Sequence, residues 1–251
     1  MRSSFHLIAG AAIAVILTAS PSVQAQSSFN DAQRKDIEKI VREYLLRQPE
    51  VLQEVVAEME KKQAAADADK HKGAISGLKE EIFNSSRQVT LGNPQGDVTL
   101  VEFFDYNCGY CKRALTDMLE LLKSDPKLKF VLKEFPVLGP GSTEAAQVAI
   151  AVRMQDKTGK KYLDFHQKLL GNRGQIDKAR ALAAAKDAGL DMARLDKDLQ
   201  SPEVKASLEE AMKLAEALGI NGTPSYVIGQ SVIPGAVGVA TLKQQIQAAR
   251  Q

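Results

Sequence analysis

Val98-Thr-Leu-Val-Glu-Phe-Phe104, followed after three intervening residues by Cys108-Gly109-Tyr110-Cys111, is the stretch that decides the fold. The apolar run reads as a buried strand. After the second cysteine, Lys112 to Lys123 carries Ala114, Leu115, Met118, Leu119 and Leu122 at helical spacing. A Cys-x-x-Cys pair therefore sits at a strand-to-helix turn. There the unpaired N–H groups of the helix N-terminus favour a thiolate on the first cysteine and lower its pKa. These are the only two cysteines in the chain.

Three uses of such a pair compete. A structural disulfide across so short a loop gains little loop entropy. A structural zinc site ordinarily takes four ligands, and the pair supplies two. Outside the first 25 residues the histidines are His71 and His166, neither spaced as a ligand to the cysteines. No metal site and no cofactor is expected, and redox use is the reading that remains.

Residues 1–25 read as a cleavable secretory signal: Arg2 in the n-region, an apolar core from Leu7 to Leu17, and Val23-Gln24-Ala25 at a small-residue cleavage site. The core is short of the roughly 20 apolar residues of a membrane helix. Export would place the chain in an oxidising compartment, most simply a bacterial periplasm. The formal charge of +2 falls by one when Arg2 is removed, and acidic and basic residues are interspersed. That pattern argues against nucleic acid as a partner.

Residues 30–72 read as helix almost throughout. Asn30 and Gln33 have the spacing of a capping box, and Ile37, Ile40, Val41, Tyr44 and Leu45 share one face. Gln48-Pro49 breaks the helix, and Val51, Leu52, Val55, Val56 and Met59 make a second stripe. A polar tract over residues 60–72 follows, and Gly73 and Gly77 are expected to loosen the chain into a hinge. Two narrow stripes cannot bury a core alone. The stripes must pack on the catalytic domain of the same chain or on another copy, and residues 30–72 are expected to pair with another copy as a dimer or trimer. The predicted division is signal 1–25, helical arm and linker 26–85, and catalytic domain 86–251.

Within the catalytic domain, Val89–Leu91 and Lys129–Phe135 read as strands, and residues 141–219 as a run of helices. A hairpin of Ser225–Ile228 and Ser231–Ile233 and a final helix over Val239–Ala249 close the chain. This order, with Cys108-Gly-Tyr-Cys111 after the central strand and Gly222-Thr223-Pro224 before the hairpin, resembles the α/β thioredoxin fold in its DsbA-like form, which carries an inserted helical domain. Phe135-Pro-Val-Leu-Gly-Pro-Gly-Ser142, the Gly-Tyr dipeptide and the helical arm look like the ScsC (suppressor of copper sensitivity) and Com1-like branch.

The resemblance implies that Pro224 is cis, with the Thr223 backbone free to pair with an extended substrate. It implies that Glu102 is a buried acid beneath the site that moves the proton of Cys111, and that Lys133 on the neighbouring strand accompanies it. Tyr110 is expected to cover the sulfurs. Cys108 would be the partly exposed nucleophile, and Cys111 the buried resolving thiol.

The implied activity is thiol–disulfide exchange on cysteine-containing exported proteins, with a membrane partner resetting the dithiol. DsbA-type oxidases typically carry Pro-His between the cysteines and Val before the proline, so Gly109-Tyr110 and Thr223 favour an isomerase. A dithiol oxidase and a Cu(I)-binding chaperone are the alternatives.

Overall fold

The computed structural model describes residues 29–156 and 158–251. The expected signal segment lies outside the described residues. The chain divides after Glu58 into two units.

The first unit holds helix α1 (Asp31–Arg47) and the opening turns of α2 (Glu50–Gly77). Asn30 and Gln33 form the capping box: each side chain accepts from the other residue's backbone N–H, at 2.9 and 3.0 Å. The helix stops before Pro49. No residue of α1 is buried, and Ile37, Ile40, Val41, Tyr44, Leu52, Val55 and Val56 are exposed.

The second unit contains the remainder of α2, then α3 (Lys79–Phe83), β1 (Val89–Gly92), β2 (Val98–Phe104), α4 (Gly109–Ser124) and β3 (Leu128–Glu134). Next come α5 (Pro140–Gln155), α6 (Lys160–Leu170), α7 (Lys178–Asp187), α8 (Met192–Leu199) and α9 (Pro202–Ala217). It ends with β4 (Ser225–Ile228), β5 (Ser231–Pro234) and α10 (Val239–Ala249). The strands form one sheet in the order β1-β3-β2-β4-β5. β2 and β3 are parallel, and every other pairing is antiparallel.

Central β2 is apolar on both faces because both faces are covered. Leu100 and Phe104 join Leu128, Phe130, Leu132, Met118 of α4 and Ile246 of α10 in one core. Val101 and Phe103 join Val131, Val227, Ile75, Ile82 and Leu214 of α9 in the other. Helix α5 is the hub of the helical insert. Ala145, Val148, Ala149, Ile150, Ala151 and Val152 are all buried, so the helix is apolar nearly all round.

Two sequence expectations are corrected here. The catalytic unit starts well before residue 86, because Ile75 and Ile82 are 3% and 0% exposed against the second core. Gly73 and Gly77 also make no hinge within α2, which runs unbroken to Gly77. An interior glycine costs a helix about 1 kcal/mol, and burying the Ile75 side chain returns about 1.5–3 kcal/mol.

Candidate active site

The site is built where the C-terminal end of β2 meets the N-terminus of α4. Cys108 is the N-cap of α4, and its sulfur accepts the Cys111 N–H at 3.4 Å. Both cysteines are free thiols. Opposite them the Thr223–Pro224 peptide bond is cis, and the Cys108 sulfur lies 3.1 Å from the Thr223 carbonyl oxygen, to which it donates only while protonated. The Thr223 carbonyl is thus engaged by the nucleophile. Cys108 is more enclosed than expected: it is 5% exposed, and Cys111 is 0% exposed.

The two sulfurs are driven apart in acidity. Cys108 is lowered to about 5, chiefly by the Cys111 thiol hydrogen bond, with help from a Thr223 side-chain hydrogen bond and the N–H groups of Cys111 and Tyr110. Burial opposes this without reversing it. Cys111 is raised far above the ordinary thiol range by the same Cys108 hydrogen bond, by burial and by Glu102. The thiolate thus resides on Cys108 and the proton on Cys111.

Glu102 lies on β2 at 4% exposure, in register with Tyr226 of β4 and Leu132 of β3. Burial pushes its carboxyl up to about 8, with smaller contributions from the negative charges of Cys108 and Asp117. It is therefore electrostatically joined to both sulfurs.

Lys133 does not accompany it. Lys133 pairs with Phe103, and side chains alternate between faces along a strand, so it stands on the opposite side of the sheet. Its ammonium donates to the Glu81 carbonyl at 2.6 Å and lies 3.7 Å from the Glu210 carboxylate. Tyr110 also departs from expectation: it is 57% exposed, with the Arg113 guanidinium 4.4 Å above its ring. Gly109 opens α4 with nothing near the position a Cβ would take.

Two features were missed in the sequence. The Thr223 side chain contributes to lowering Cys108, and the signal was a hydroxyl-bearing residue directly before the proline. Beside the cysteine loop also runs a buried chain of polar groups. Tyr162 donates to Glu134 at 2.6 Å, the Tyr106 hydroxyl lies 3.3 Å from that of Tyr162, and His166 Nδ1 lies 3.2 Å from Tyr106. Burial lowers His166 to about 3, so it is neutral in the folded protein. Nothing in the sequence pattern linked these four residues, which lie on β3, α6 and the cysteine loop. Among the described residues, no group of three or more His, Cys, Asp or Glu is placed to hold a metal ion.

A parallel strand pair, a Cys-x-x-Cys at a helix N-terminus and a cis-proline facing the sulfurs define a thioredoxin-fold thiol–disulfide centre. A family model for the DsbA-like thioredoxin domain matches residues 99–247, and the chain belongs to that family. Residues 33–66 match a second model, the N-terminal domain of the copper resistance protein ScsC.

Among solved structures, a thioredoxin-like oxidoreductase from Silicibacter pomeroyi is 43% identical, covering 68% of this chain and 96% of that one, with a TM-score of 0.64. Proteus mirabilis ScsC in a transitional conformation is 28% identical, covering 89% of this chain and 97% of that one, with a TM-score of 0.64. Among curated proteins, the Na(+)/H(+) antiporter NhaA 1 of Salinispora arenicola is 24% identical over 184 residues. That match takes in 70% of this chain, which spans only 28% of the antiporter's length. Among the described residues, no helix is long and apolar enough to cross a membrane.

Proposed function

We propose that the protein is a periplasmic thiol–disulfide oxidoreductase that acts mainly as a disulfide isomerase on cysteine-containing exported proteins. The observation that carries this is the division of roles between the sulfurs: Cys108 lowered to about 5 and Cys111 held protonated beneath the cis-Pro224 loop. A thiolate at Cys108 attacks a substrate disulfide, forms a mixed disulfide and expels the other substrate sulfur as thiolate. A substrate thiolate then attacks the mixed disulfide to complete the shuffle. If the complex stalls, the Cys111 sulfur attacks Cys108 and frees the substrate thiolate, leaving a Cys108–Cys111 disulfide that a membrane partner must reduce.

Glu102 serves that resolving step. Its pKa is raised in part by the Cys108 anion. In the mixed disulfide that anion is gone, so Glu102 ionises more readily just when Cys111 must give up its proton. When the thiolate is released again, Glu102 regains its preference for the proton.

With its pKa lowered to about 5, Cys108 is a thiolate at neutral pH and ready to attack a substrate disulfide, as an isomerase requires. Thr223 and Gly109-Tyr110 in place of Val and Pro-His support the same reading. The exposed apolar stripes of α1 and α2 suit association of residues 30–72 into a dimer or trimer. Such an assembly would present several thiolates to one scrambled chain.

The experiment is reactivation of scrambled ribonuclease by the chain without residues 1–25, with Cys108→Ala as blank. Reactivation supports the isomerase. No reactivation, with rapid oxidation of a reduced dithiol peptide, moves the assignment to a DsbA-like oxidase.

A further inference from the structure

Between the end of β2 and the cysteines stands Asp105, 2% exposed. Its carboxylate receives four donors. Oδ1 accepts the Asn107 N–H at 2.7 Å and the Ser142 hydroxyl at 2.7 Å. Oδ2 accepts the N–H groups of Val137 at 2.8 Å and Leu138 at 3.0 Å. Its backbone is engaged as well. The carbonyl accepts the Cys108 N–H at 3.1 Å, and the N–H is hydrogen-bonded to the Cys111 sulfur.

One residue therefore touches both cysteines, the turn between them and the strand, the start of α5 and the β3–α5 loop. That loop carries Val137 and Leu138, 39% and 51% exposed, as apolar side chains turned to solvent. Asn107 extends the tie. Its Oδ1 accepts the Ile176 N–H at 2.6 Å, while its Nδ2 donates to Ser142 Oγ and the Ile176 carbonyl, each at 3.0 Å. The cysteine loop is thereby pinned to the helical insert at two separate chain positions.

We propose that Asp105 is a positioning residue for thiol–disulfide exchange. It sets the cysteine loop against the N-terminus of α4 and ties to it the loop that carries Val137 and Leu138, a ledge for apolar residues of a protein substrate. Only a carboxylate satisfies the geometry. Both of its oxygens accept two donors each, whereas an asparagine would turn its NH2 toward two N–H or O–H donors. The loss would fall on the substrate ledge, the cysteine turn, or both. The proposal rests on the exchange chemistry argued above, but not on its direction.

Asp105→Asn tests it in the full chain without residues 1–25, using three measurements beside a thermal melt. These are thiolate absorbance of Cys108 against pH, turnover with oxidised glutathione, and KM and kcat with scrambled ribonuclease. The loosened turn is expected to move the Cys108 titration to higher pH than wild type, against the lowering that removal of a nearby negative charge would itself give. Its KM for ribonuclease should rise about threefold or more, as for loss of one hydrogen bond, with a smaller change toward glutathione, which is too small to span the ledge. A variant that melts lower but titrates and turns over like wild type has lost only stability, and overturns the proposal.

If Asp105→Asn does not fold, Ser142→Ala, which removes one donor from Oδ1, decides the matter. A shift in the same direction supports the proposal, and wild-type behaviour overturns it. A wild-type protein inactive on ribonuclease sinks the isomerase reading alone, because the titration and glutathione measurements still report on Asp105.

Discussion

Glu102 and Lys133 sit on adjacent parallel strands one residue out of register, and so face opposite sides of the sheet. The acid faces the cysteines; the lysine faces α3 and α9, held by Glu81 and Glu210. The two buried charges that read as partners in the sequence therefore serve separate ends.

Lys133→Met should leave the Cys108 titration unchanged while costing about 1–3 kcal/mol of stability through the unpaired acceptors. Denaturant unfolding and thiolate absorbance measured on the same sample decide this. A shifted titration with unchanged stability would return Lys133 to the site.

Removing the carboxylate by Glu102→Gln should slow the resolving step. Glu102 titrates near 8, above its unfolded value. In the mixed disulfide the Cys108 charge is absent and Glu102 ionises at lower pH than this, so release of substrate by Cys111 should quicken as pH rises toward 8 in wild type and lose that rise in the variant. Stopped-flow release from a preformed mixed disulfide gives the profile. The same raised pKa works against stability at high pH: the preference for the protonated form is present below the unfolded value of 4.5 and lost as pH climbs through about 8.

Thr223→Val removes a hydrogen bond that favours the Cys108 thiolate. The Cys108 titration should move up by about one unit, the scale of a single hydrogen bond to a charged group. Alkylation rate against pH would read it directly. An unmoved midpoint would mean that the hydroxyl has no part in activation.

Cys108→Ser should abolish exchange, and Cys111→Ser should accumulate mixed disulfides on a non-reducing gel. Equal inactivity of both without trapped complexes would remove the assigned roles.

His166 contributes in acid. Its folded pKa is about 3 against 6.5 for the ordinary side chain, so its stabilisation is complete above 6.5 and is lost as pH falls toward 3. His166→Gln should flatten that part of the stability profile, as followed by thermal melts from pH 7 to 4. A slope unchanged between variant and wild type would exclude His166 as its source.

The sheet and the first helix were legible because their signals are local: the apolar run Val98–Phe104, the hairpin strands two residues apart, and the cap at Asn30 all fall where the structure has them. The sulfurs and Pro224 were legible as motifs. Lys133 was misplaced because a one-residue shift of register reverses a side chain, and composition carries no register. Asp105 was passed over because its four donors come from residues 2 to 37 positions away, a coincidence that only folding creates. The start of the catalytic unit was set too late because Ile75 lies in a helix whose preceding turns are polar.

Cys108, the proposed nucleophile, is only 5% exposed. Under the proposed exchange chemistry a substrate sulfur must come in past the surrounding backbone to meet it, a demand that a loose segment meets more readily than a rigid surface.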